Sequence, residues 1–201
     1  MLPELAALES MPDLPGDRVT LRGIRYEDAP QLHAVFSDPA AMRYWSAPAH
    51  TALVQTEEMI AQIHRGFEDR SLLQWGIARN EDGRLLGTAT LITAGDQPRA
   101  ELGYILGSAH WRQGLGGEAQ RLVIGFAFDE LRLHRLDADV DQRNVASVCS
   151  LERLGFRIEG LQRERWLVAG ERSDSVMLGL LASEWAARQE TQPSSRPVMR
   201  P

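Results

Sequence analysis

Nine residues, Trp111-Arg112-Gln113-Gly114-Leu115-Gly116-Gly117-Glu118-Ala119, constrain this chain more than any other segment. They follow an alternating run, Ala100 to Leu106. There Leu102, Tyr104 and Leu106 share one face and Glu101, Gly103 and Ile105 the other, the period of a strand. They open a stretch from Gly117 to about Leu133 whose apolar positions Ala119, Leu122, Val123, Phe126 and Ala127 keep helical spacing. Three glycines let a backbone adopt positive φ and approach a ligand closely. A helix start adds unpaired N–H groups and the positive end of the dipole, an anion site. A phosphate-bearing ligand is the natural occupant; a plain strand-to-helix turn is the alternative. No Gly-Lys-Ser/Thr follows, so this is not a P-loop. The spacing of Gly114, Gly116 and Gly117, late in the chain, also misses the dinucleotide fingerprint.

The flanking pattern places this turn in a larger sheet. Residues 1–17, with Pro3, Pro12, Pro15 and Gly16, read as a loose lead-in with a short helix at Glu4–Leu8. Val19, Leu21 and Ile24 mark a first strand, and Tyr26-Glu27-Asp28 opens a helix through Phe36 that Ser37-Asp38-Pro39 stops. Met42 to Pro48 reads as an exposed loop, and Thr51 to Phe67 as a helix with the stripe Leu53, Val54, Met59, Ile60 and Ile63. Leu72–Arg79 and Arg84–Thr93 flank Asn80-Glu81-Asp82-Gly83, a β-hairpin. Beyond the glycine turn come a strand (Arg135–Asp141), a helix (Asn144–Leu154) stopped by Gly155, and strands near Phe156–Val168 and Ser173–Leu181. A last helix covers Ser183–Gln189. The order predicts an α+β (mixed α/β) domain over 18–190 with one central sheet, and a mobile tail over 191–201.

Composition removes several classes of function. A net charge of -6 argues against broad nucleic-acid or anionic-membrane binding. No run reaches the ~18 apolar residues of a membrane span. The opening, with Glu4, Glu9 and Asp13, lacks the basic and apolar regions of a secretory signal, so a cytoplasmic location is expected. The single cysteine, Cys149, allows no internal disulfide, and no cluster suggests a metal site. All 22 basic residues are arginine, which excludes lysine Schiff-base or general-base chemistry.

A second segment, Asn144-Val145-Ala146-Ser147-Val148-Cys149-Ser150-Leu151-Glu152-Arg153-Leu154-Gly155-Phe156, reads alone as a surface helix. Taken with the glycine turn, in order and spacing, it resembles the Gcn5-related N-acetyltransferase (GNAT) superfamily. The similarity is strongest to its ribosomal-protein-alanine N-acetyltransferase (RimJ/RimL-like) branch. It is carried by Gly114, Gly116, Asn144, Ser147, Gly155 and Phe156 and spans roughly residues 18–185.

The resemblance implies a mostly antiparallel sheet with one splayed strand pair, flanked by helices. It implies acetyl-CoA as co-substrate and no metal. The pyrophosphate would lie on the amides of Arg112, Gln113, Gly114, Leu115, Gly116 and Gly117. The pantetheine arm would run beside Gly103, Tyr104, Ile105 and Leu106 like an added strand. Asn144 would bind that arm, with Ser147 and Arg153 as further cofactor contacts. The acceptor would be a primary amine, most simply a protein or peptide N-terminus, otherwise a small amine such as a polyamine or aminoglycoside. A non-catalytic acyl-CoA sensor is the rival outside enzymes, and a monomer or homodimer is expected.

Two positions depart from the family pattern. Trp111 stands where many members carry Gln or Arg, so its side chain makes no phosphate contact. Leu151 stands where many members place a proton-donating tyrosine. Ser147, one turn earlier, is the substitute acid, or else a cofactor hydrogen-bond partner. Glu101, on the strand beside the splay, is the candidate base, or else a structural or charge-pairing carboxylate. Asp174 and Trp45 are further acceptor-side candidates, and Cys149 reads as a packing residue rather than a nucleophile.

Overall fold

The computed structural model describes residues 3–191. The chain runs α1 (Pro3–Ala6), β1 (Leu14–Pro15), β2 (Val19–Gly23), α2 (Ala29–Phe36), α3 (Pro39–Met42) and α4 (Leu53–Glu68). It continues through β3 (Leu72–Arg79), β4 (Leu85–Thr93), β5 (Arg99–Leu106), α5 (Leu115–Gly125) and β6 (Arg135–Asp141). The last elements are α6 (Val145–Leu154), β7 (Arg157–Val168), β8 (Glu171–Leu181) and α7 (Ala182–Thr191). Among the described residues the strands form one sheet ordered β1-β2-β3-β4-β5-β6-β8-β7. Every neighbouring pair is antiparallel except β5 and β6.

Strand alternation sorts the core onto two faces. Leu73, Trp75, Leu102, Leu136, Ala138 and Val140 point to the main core, shared with Val123 of α5 and Leu151 of α6. Ile105 points the other way, into a smaller core with Leu32 of α2 and Ile60 of α4. The same alternation puts Glu101 and Gly103 of β5, and Asp137, Asp139 and Asp141 of β6, on the α2/α4 side.

Four expectations need correction. Residues 3–17 are not loose: Leu5 is buried, β1 pairs with Leu21 and Thr20, and the Trp75 indole donates to Pro12 O at 2.8 Å. The three-residue spacing of Leu5, Leu8, Met11 and Leu14, which pack on the main core, outweighs the prolines. The exposed loop is partly a helix, α3, started by Asp38 accepting from the Ala40 amide; Met42 is buried and Trp45 packs on the smaller core. In α4, Leu53 and Val54 are exposed in the first turn, and Thr56, Ile60 and Ile63 form the buried stripe. The helix after the glycine turn starts at Leu115 and passes at Phe126 into a π-helical turn ending at Glu130. The tail expectation falls on residues outside the described ones, Thr191 excepted.

Candidate active site

β5 and β6 pair through three residue pairs only, Arg99 with Arg135, Ala100 with Leu136 and Glu101 with Asp137. Beyond them the strands part, while β4 stays paired with β5 as far as Leu106 and β8 with β6 as far as Asp141. The edge of β5 facing β6 is therefore open past Glu101. A cleft of about 430 Å³ occupies the gap. Tyr104, Ser147 and Leu151 reach it from the α5/α6 side, and Glu101, Gly103, Asp139 and Trp45 from the α2/α4 side. The cleft thus passes through the sheet.

On the α2/α4 side the wall is acidic, and its acids differ in their partners. Asp137, beside the cleft rather than lining it, is ion-paired to Arg135 at 2.6 Å and to Arg99 at 3.7 Å. Burial pushes the Asp141 carboxyl up, and the Arg143 fork and amide more than reverse it, holding it below the usual range. Arg143 also pairs with Glu171 at the cleft mouth, its guanidinium 5.8 Å from the Tyr44 ring centre. Asp139 accepts through Oδ2 alone, from Arg165 Nε at 3.1 Å and the Trp166 indole at 3.2 Å. Its Oδ1 is buried with no hydrogen-bond partner. No described residue hydrogen-bonds the Glu101 carboxylate, and burial first, then Asp139, raise it above its ordinary value.

Arg165 and Trp166 reach Asp139 because β7 bulges between Gln162 and Trp166, a device that re-aims side chains. Glu164 sits in the bulge at φ 49°, and its amide donates to Asp174 Oδ1 at 2.8 Å. Asp174 Oδ2 accepts from Gln142 at 3.1 Å. Asp174, expected to meet the acceptor, is instead the brace of this bulge and does not line the cleft. Asp139, absent from the sequence-derived candidates, does line it.

The glycine turn stands beside the cleft rather than in it. Gly114 caps α5 at φ 76°, and the Arg18 guanidinium packs against it, donating to Gln113 O at 2.8 Å. Glu118 accepts the Arg18 and Val19 amides, at 2.7 and 3.2 Å, tying the first turn of α5 to β2. A β-carbon on Gly117 would meet nothing within 4 Å, so the helix start has room for a ligand. The Trp111 indole donates to Leu106 O at 2.9 Å, so that carbonyl at the end of β5 is already engaged. Arg112 is exposed, at φ 59°.

On α6, Asn144 is the N-cap, its side chain accepting from the Ser147 amide at 3.2 Å. Ser147 is buried, and both residues line the cleft. Arg153 lies in the last turn of α6, away from the cleft. Cys149 is half-buried and does not line it. Among the described residues no His, Cys, Asp or Glu cluster could hold a metal, and no helix is long and apolar enough to cross a membrane. The open strand edge, the capped polar helix start and the unfilled space at Gly117 fit a long, amide-bearing, phosphate-ended ligand.

A sheet parted at its parallel pair, with a glycine turn beside the gap, is the architecture of a coenzyme A-dependent acyltransferase. A model described as an acetyltransferase (GNAT) domain matches residues 18–157, and the chain belongs to that family. It is similar to the uncharacterized N-acetyltransferase p20 of Bacillus licheniformis, 33% identical over 171 residues, 85% of this chain and 96% of that one. It is 25% identical over 175 residues to the spermidine N(1)-acetyltransferase of Escherichia coli K12, covering 86% of this chain and 91% of that protein. Its fold matches the ribosomal-protein-S5-alanine acetyltransferase of Vibrio fischeri with a TM-score of 0.74 at 20% identity, over 87% of this chain and 98% of that one. The protein is an acetyl-CoA-dependent N-acetyltransferase.

Proposed function

We propose that this enzyme acetylates the primary amine of a protein or peptide N-terminus by direct transfer within the cleft. The observation that carries this reading is the passage through the sheet, with Ser147 on one side and Glu101 on the other. The thioester enters from the α5/α6 side and the amine from the α2/α4 side. The amides from Arg112 to Gly117 hold the pyrophosphate, and the open edge of β5 from Gly103 to Ile105, with Asn144, aligns the arm. Bound there, acetyl-CoA supplies an activated acetyl group and a thiolate leaving group. Glu101 takes a proton from the incoming ammonium, freeing the nitrogen lone pair for attack on the acetyl carbonyl. Ser147 hydrogen-bonds the departing sulfur or passes it a proton. Trp45 closes the acceptor side above the smaller core.

A small amine is the second reading, favoured by the acidic wall, which suits a cation, and by the spermidine-acetylating relative. A screen of peptide N-termini against polyamines and aminoglycosides, read as thiol release, separates the two. Preferential turnover of peptides supports the first reading; turnover of small amines alone replaces it with the second.

A further inference from the structure

The acids in and beside the cleft are unequally neutralised. Asp137 has Arg135 and Arg99, and Asp141 has Arg143, which also holds Glu171. Arg43, at the mouth, lies over the Tyr44 ring, 5.2 Å from its centre. Asp139 has Arg165, on Oδ2 alone, and Glu101 has no ion-pair partner among the described residues. The Asp139 side chain is 3% exposed, and one of its oxygens has no partner. Burying a carboxylate oxygen unpaired is costly unless a proton or cation is shared with it. Register brings Glu101 near. It pairs with Asp137, and Asp139 is two residues further along β6 on the same face. At ordinary strand spacing two α-carbons so placed lie roughly 8 Å apart, and the parting of the strands past Glu101 widens this. Both line the same cleft.

We infer that Glu101 and Asp139 form a carboxylate pair that takes up a single proton, on Glu101, with Asp139 as the positioning residue that keeps Glu101 basic. Arg165 and Trp166, aimed by the β7 bulge, secure Asp139 Oδ2. Its Oδ1 is left without a hydrogen-bond partner, and Glu101 lines the same cleft. When an ammonium arrives, an N–H bond breaks, its electron pair stays on nitrogen, and the proton forms an O–H bond on Glu101. The negative charge on Asp139 stabilises that protonated state, since like charges this close resist joint ionisation. Of the other groups around Glu101, Asp137 acts in the same direction but less, being ion-paired to Arg135 and Arg99, and Arg165 acts in the opposite direction. The raised proton affinity of Glu101 agrees with this arrangement.

The use of that proton rests on the amine acetylation proposed above, but the pair is read without turnover. The test is a carbon-13 titration of full-length protein labelled at its Asp and Glu side-chain carboxyls. One glutamate resonance, absent from Glu101→Gln, should titrate above the ordinary range. One aspartate resonance should move over the same pH interval and stay still in Glu101→Gln. In Asp139→Asn the Glu101 midpoint should fall by about one pH unit, about tenfold in proton affinity, as for removal of a neighbouring charge. A Glu101 midpoint unchanged by Asp139→Asn overturns the inference and leaves Asp139 as an anchor for β7. If Asp139→Asn does not fold, the wild-type spectrum decides: no aspartate moving with Glu101 also overturns it. Failure of every amine to turn over would instead strike the proposed function.

Discussion

Gly116 lies against Tyr104, so closely that a β-carbon at 116 would come within 3.2 Å of the ring. That glycine is needed by the free protein, because Tyr104 and Leu106 fill the space a side chain would take. Gly117 differs, since a β-carbon there meets nothing within 4 Å. The two neighbours therefore separate packing from ligand approach. Gly117→Glu should leave the melting temperature nearly unchanged and weaken coenzyme A binding by about tenfold or more, through repulsion at the anion site. Gly116→Glu should lower both. Calorimetry with coenzyme A checks this, and full affinity in Gly117→Glu would remove the phosphate from the start of α5.

Glu101→Gln should trade activity against stability. Burial and the Asp139 charge raise the Glu101 carboxyl above its ordinary 4.5, so the folded state binds its proton more tightly than the unfolded chain. The resulting stability is present below 4.5 and lost as pH rises through the raised folded value. At neutral pH the charged carboxylate carries the cost, and Gln removes it. The variant should melt higher than wild type while turnover falls roughly 100- to 10,000-fold. In wild type, turnover should drop as pH falls through the raised value, and rate profiles with parallel melts test both signs.

The Arg22–Asp28 pair makes the opposite pH prediction. Asp28 is buried, receives both Arg22 Nη atoms at 2.8 Å and accepts the Arg25 amide. Burial pushes its carboxyl up, but the Arg22 fork and that amide hold it below 3.8. Stability from the pair is present above 3.8 and lost as pH falls through the lower folded value. Asp28→Asn should cost roughly 3 kcal/mol at neutral pH, because it leaves Arg22 without its partner, and flatten the acid limb of stability. Urea melts over a pH series measure this directly.

Cys149 and Ser147 share a helix and should behave differently. Cys149→Ala should keep most turnover, because direct transfer needs no covalent enzyme. Ser147→Ala should lower turnover about tenfold, since water can protonate a thiolate whose pKa is already near ~8.5. Loss of activity in Cys149→Ala, with folding and coenzyme A binding intact, would contradict direct transfer.

Local signals carried most of the fold and the positions of the turn and helix that flank the cleft. The hairpin at Asn80–Gly83, the glycine turn and the Asn144–Gly155 helix are written in adjacent residues, so their positions could be read from turn chemistry and period. The acid row was also visible, as Asp137, Asp139 and Asp141 alternate with Leu136, Ala138 and Val140. What could not be read was which acid lacks a counter-ion. That depends on Arg165 and Trp166, brought to Asp139 by a bulge with no local sequence signal. Asp174 was misplaced for the same reason, its partner Glu164 being aligned only once the bulge forms.

The central claim is direct acetyl transfer to an amine in the β5/β6 gap. Initial rates over a grid of acetyl-CoA and amine concentrations, with mass spectrometry of the protein and products, test it most directly. The expected result is intersecting reciprocal plots, equal amounts of free thiol and acetylated amine, and an unmodified protein. Parallel plots with an acetylated enzyme, or coenzyme A binding with no amine-dependent thiol release from any peptide or small amine, would contradict it.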